Sequence, residues 1–159
     1  MKRILLLMIS VTLISSCASR KKVDVDSMVR DPAEQSDSAV EIVPLLPPGV
    51  KSLLDEAEQA RVAGQEDQAI EILHRARSIA GNTPTVLQYL AEAYLAVGDF
   101  PQAMAWAQQA VDNGPPKGEL CERSRRTLAL AAEQQGQTDL QLSALQSIES
   151  CISGSVQRF

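Results

Sequence analysis

Aromatic side chains are nearly missing from this chain: two Phe, one Trp and two Tyr make up 3 % of 159 residues. The second half is instead rich in Ala, Leu and Gln, a composition that builds helices and not sheets. Positive charge is also short. Against 20 Asp and Glu stand 15 Lys and Arg, a formal net charge of −5. Nucleic acid is thereby a poor partner, because its binding draws on basic residues that neutralise phosphates. Histidine occurs once, as His74 beside Arg75 and Arg77, and its helical position points it outward as a solvated surface group. No HExxH or CxxC pair, nucleophile elbow or phosphate-binding glycine loop is present. Neighbouring acids such as Asp55 and Glu56 diverge around a helix and do not form a working pair. The expectation is a protein without catalytic residues, metal ligands or cofactor.

Long apolar runs are absent as well. Ile4–Ile14 is an apolar stretch of 11 residues, where a membrane-spanning helix needs about 20. It follows the basic Met1-Lys2-Arg3 and has the length of a signal-peptide core. Next comes Leu13-Ile14-Ser15-Ser16-Cys17, which resembles a bacterial lipobox. That resemblance implies a signal peptide over residues 1–16, cleavage before Cys17, diacylation of its sulfur and acylation of the new amine. The alternative is an ordinary cleavable signal followed by a chance cysteine. Ala18 and Ser19 lack the Asp that, in such lipoproteins, marks retention at the inner membrane. Attachment to the outer membrane, facing the periplasm, is what the resemblance implies.

Residues 17–48 have no sustained helical or strand periodicity and mix acids with Ser, Gln and Pro. Such a segment has too little apolar surface to offset the entropy of ordering, so a disordered linker is predicted. Arg20-Lys21-Lys22 either lies on anionic head groups or is simply solvated. Ile42–Leu46 is either part of a stiff spacer, a short partner-binding motif or a cover for the first helix. Pro47-Pro48 then fixes the backbone and removes two N–H donors, closing the linker.

What the chain does have is an internal repeat. Slid by 34 residues, Ala57 falls on Ala91, Gly64 on Gly98, Ala69 on Ala103 and Ala76 on Ala110. A fixed period of this kind decides the fold. Helices are predicted over Val50–Ala63 and Asp67–Ala80, the latter with Ala69, Ile70, Leu73, Ala76 and Ile79 inward. Thr85–Val97 and Phe100–Val111 form the second pair, with Thr83 and Asp99 as caps. A small residue in each helix and a glycine-led turn between them resembles the tetratricopeptide repeat. The predicted fold is all-α: a short solenoid of antiparallel helix pairs, about six helices, preceded by the disordered tether. Two repeats occupy 49–117, and 118–159 forms a degenerate third hairpin that caps the stack.

In that hairpin, Glu119–Gln135 and Asp139–Ser153 are the predicted helices, turning at Gly136. Cys121 and Cys151 each lie 15 residues from the turn, so the start of one helix meets the end of the other. In the oxidising periplasm a disulfide is predicted, with two buried free thiols as the alternative.

Stacked helix pairs curve, and their first helices line a concave face. By resemblance to the repeat family, the groove-facing partner-binding candidates are Leu54, Glu58, Arg61 and Val62 in the first unit. Gln88, Glu92, Leu95 and Ala96 follow in the second. Certain family members grip a C-terminal carboxylate with Lys, Asn and Arg, a set that Leu54 and Glu58 do not reproduce. Arg123 and Arg126, sharing a face three residues apart, are further candidates, or else a solvated basic patch. Lipobox, tether and repeats, with Leu-Pro-Pro-Gly-Val before the first helix, resemble the LpoP-type lipoproteins. That resemblance implies a non-catalytic outer-membrane activator of class A penicillin-binding proteins, the bifunctional peptidoglycan synthases. A repeat scaffold or pilotin-like factor in outer-membrane, pilus or secretion assembly is the alternative.

Overall fold

Glycine and proline punctuate the helices where the repeat pattern places them. The computed structural model describes residues 21–36 and 45–152. The expected signal stretch, Cys17 and most of Ile42–Leu46 lie outside the described residues. Helix α2, Pro48–Val62, opens with proline at its first position, where the missing N–H costs nothing. It therefore starts two residues earlier than the expected Val50. Helix α3 spans Glu66–Ala80, α4 Pro84–Ala96 and α5 Phe100–Asn113. The Asp99 carboxylate accepts from the Gln102 N–H and caps α5. Thr83 precedes α4 without capping it, and its hydroxyl donates instead to the Ala80 carbonyl at 2.6 Å. Helices α6, Glu119–Gln134, and α7, Thr138–Ile152, form the third hairpin. The turns need residues that tolerate left-handed backbone; Gly64 (φ 73°), Gly98 (φ 74°) and Gly136 (φ 67°) supply them between the members of each pair.

Alanines let the paired helices approach. Ala57, Ala69, Ala76, Ala91, Ala103, Ala107 and Ala110 are all buried, with Leu53, Leu73, Leu87 and Leu90 filling the space beside them. The inward arc of α3 is Ala69, Ile72, Leu73 and Ala76. That arc is complete before the last turn, so Ile79, expected inward, is exposed. Cys121 in the first turn of α6 and Cys151 in the last turn of α7 are joined, with an S–S distance of 2.04 Å and Cα atoms 5.6 Å apart.

Within the segment expected as linker, residues 21–36 are folded. They make one wide π-helical stretch, Asp26–Arg30, that runs directly into a short helix α1, Asp31–Glu34. Val25, Val29 and Ala33 recur every four residues and all three are buried. Three small apolar groups on one face are too few to hold an isolated helix. They suffice here because Val25 and Val29 pack against Leu95, Ala103 and Ala131 of the helix stack.

Candidate binding groove

The first helices of the three pairs, α2, α4 and α6, line one face of the stack, and the N-terminal helix lies across it. Lys21 reaches Gln134 near the end of α6 at 3.0 Å, and the Ser36 hydroxyl donates to Glu122 near its start. The segment thus runs antiparallel to α6. Val25 and Val29 pack with Leu95, Ala103 and Ala131.

At the centre is Glu92, a carboxylate with 1 % exposure. Arg123 donates to it from Nε and Nη2, both at 2.9 Å. Arg30 approaches from the other side through Nε at 2.9 Å and Nη2 at 2.8 Å. The Gln88 amide donates to Glu92 and to the Thr127 hydroxyl, each at 2.8 Å. Burial by itself would raise the Glu92 carboxyl, but the charges of Arg123 and Arg30 outweigh it and hold the group at about 2. The same carboxylate pulls Arg30 and Arg123 upward against their own burial. Tyr89 lies beneath both guanidiniums, with its ring centroid 5.4 Å from Arg30 and 5.3 Å from Arg123.

A second carboxylate completes the arrangement. Glu58 accepts from Arg30 Nη1 at 2.9 Å and from Arg61 Nη2 at 2.6 Å. Arg61 also reaches Asp26 of the N-terminal segment at 3.0 Å. Burial opposes ionisation of Glu58, but hydrogen bonds from Arg61 and the charge of Arg30 win and lower it.

The structure therefore brings Glu58, Arg61, Gln88, Glu92 and Arg123 into one network. Leu95 is beside it, covered by Val25 and Val29. Leu54 belongs to the α2–α3–α4 core and faces no groove; Val62 stands apart and exposed on the last turn of α2. Ala96 packs at the edge of the Val25–Val29 cluster. Arg126 pairs with Glu122 at 3.5 Å, and Arg125 turns to the Cys121 carbonyl. Sequence reasoning missed Arg30, Asp26 and Tyr89. The available signal was the Val25, Val29, Ala33 spacing with Arg30 next to its middle member. His74 is exposed, as expected, but its Nε2 lies 2.9 Å from the Tyr94 hydroxyl and its ring meets Trp106 edge-on. Among the described residues, no group of His, Cys, Asp and Glu is arranged to hold a metal ion.

In this structure the groove holds the chain's own residues 21–36 by charge and small apolar contacts. The sequence profile of the tetratricopeptide repeat matches residues 60–119. The fold also matches the solved globular C-terminal domain of LpoP from P. aeruginosa, with 32 % identity and a TM-score of 0.58. The match covers 65 % of this chain and 98 % of that one. No curated protein matches the chain. The protein is thus a tetratricopeptide-repeat protein of the kind that binds other proteins. Within that class, the chain belongs to the LpoP family.

Proposed function

We propose that this chain is a non-catalytic lipoprotein, anchored to the outer membrane through Cys17. Its periplasmic repeat domain binds and activates a bifunctional peptidoglycan synthase, a class A penicillin-binding protein. The observation that carries this reading is the likeness to the LpoP domain, 32 % identical over 98 % of that domain's length. The lipobox around Cys17 and the missing catalytic motifs support the same reading. Activation by such a domain is a population shift: the domain binds the active conformation of the synthase better than the resting one.

The test mixes the soluble chain, carrying Cys17→Ser in place of the lipidated residue, with purified class A synthases from the same cell envelope. Saturable binding and a matching rise in glycan polymerisation are expected. No binding and an unchanged rate across those synthases would remove the proposal. Capture of a secretion or pilus component instead, after cross-linking in intact cells, would move the protein to envelope assembly.

A further inference from the structure

Arg30 is the member of the groove network that can leave without stranding a charge. Glu92 would keep the two bonds from Arg123 and the one from Gln88. Glu58 would keep Arg61, and Glu122 would keep its ion pair with Arg126. Asp26, the partner Arg61 loses, departs with the same segment as Arg30, so the central network loses one positive and one negative charge together. Removing one partner of a buried ion pair is costly when the other is left uncompensated. Here both carboxylates that Arg30 pairs with, Glu58 and Glu92, have a second cation that stays, and Glu66, which loses Lys22, lies at the margin where solvent reaches it. What departure uncovers is a narrow apolar strip around Leu95 and Ala131, beside the Tyr89 ring and the Glu92 carboxylate. That surface selects an arginine flanked by small apolar residues at helical spacing.

We propose that residues 21–36 are an internal ligand of the groove, displaced when an arginine-bearing amphipathic helix of a partner protein takes their place. The segment matches its site as a ligand would. Val25, Val29 and Ala33 fill the strip, Arg30 bridges two carboxylates from different repeats, and Lys22 pairs with Glu66 at the margin. A partner must therefore compete with a covalently attached rival, and its apparent affinity is divided by the fraction of molecules in which the groove is open. The inference concerns this chain's own contacts and holds whichever protein supplies the competing helix.

The experiment uses the full chain with Cys17→Ser and a fluorescent synthetic peptide of the sequence Lys21–Ser36. Val29→Asp places a carboxylate against Leu95 and unseats the internal segment. The peptide is expected to bind this variant about tenfold more tightly, or better, than the unaltered chain, because the open fraction rises. A peptide carrying Arg30→Glu should not bind either chain. Equal affinity for the two chains, or binding that ignores the Arg30→Glu change, would overturn the proposal. Hydrogen exchange on the isotopically labelled, unaltered chain gives an independent reading, whether or not the Val29→Asp chain folds. Saturating peptide should accelerate exchange of amides 25–34 while those of α4 stay protected; no acceleration also overturns it. No synthase is present in either measurement, so this inference and the proposed activity fail separately.

Discussion

Glu92 is the residue on which the groove turns. Its replacement by Ala would leave Arg30 and Arg123 facing each other across a buried gap with nothing between them. Removal of one member of such a cluster costs ~3–5 kcal/mol, readable as a lower urea midpoint of the full chain. Acid titration is the gentler probe. The Glu92 carboxyl sits at about 2 in the fold against an ordinary 4.5. Its folded value lies below the unfolded one, so its contribution is fully present above pH 4.5 and is lost as the pH falls toward 2. Glu58, also lowered, acts in the same direction. These two carboxyls should therefore add no pH dependence near neutrality, and stability should fall across that acid window, with a shallower fall in Glu92→Gln. A fall as steep in that variant would assign the acid sensitivity elsewhere. At this scale the sequence was only half legible. Family spacing pointed to Glu58, Arg61, Gln88 and Glu92, yet Arg30 is 62 residues from Glu92 and lies in a polar stretch. No local pattern announces an ion pair of that span.

The helices were far easier to read than the ion pairs, because their limits are set by local chemistry. Proline opens α2 and α4, and glycine in left-handed backbone closes the turn inside each pair. The alanine positions followed from the 34-residue period, and the packing shows why they are small. Ala103 is fully buried between α4 and its neighbours, so Ala103→Leu should overpack the crossing and cost ~1–3 kcal/mol. Thermal unfolding would check this; a neutral result would mean that the crossing has room the packing does not show. The α6–α7 hairpin carries its own tie. The bond spans 30 residues of chain, and in the chain-entropy model its reduction removes ~3–4 kcal/mol. A denaturation midpoint unmoved by reductant would show that the hairpin is held by its packing alone. The N-terminal helix escaped detection because its order is tertiary. Composition gives the intrinsic cost of ordering a segment, but not the groove that offsets it.

At the scale of the whole molecule, the stack of three pairs and the segment across it form one object, with the groove covered by the chain that leads into it. Lys21 and Lys22 lie against Gln134 and Glu66, so the point at which the chain enters the head is fixed while the segment is docked. If Cys17 carries the proposed lipid, this would set how far the head can stand from it. From Cys17 to Lys21 the chain can span only about 14 Å at ~3.3–3.6 Å per residue, whereas release of everything up to Pro47 allows on the order of 100 Å. Docking would therefore work as a reel. Bound to itself, a head anchored as proposed would be held near the membrane surface; with a partner helix in the groove, it could stand off toward whatever that partner is fixed to. Neutron reflectometry on lipidated protein in a supported bilayer should place the Val29→Asp head farther from the membrane than the unaltered one. Equal distances would mean that the segment does not set the reach. The same few side chains that cover the groove would then decide the height at which it is offered, so recognition and extension become a single event.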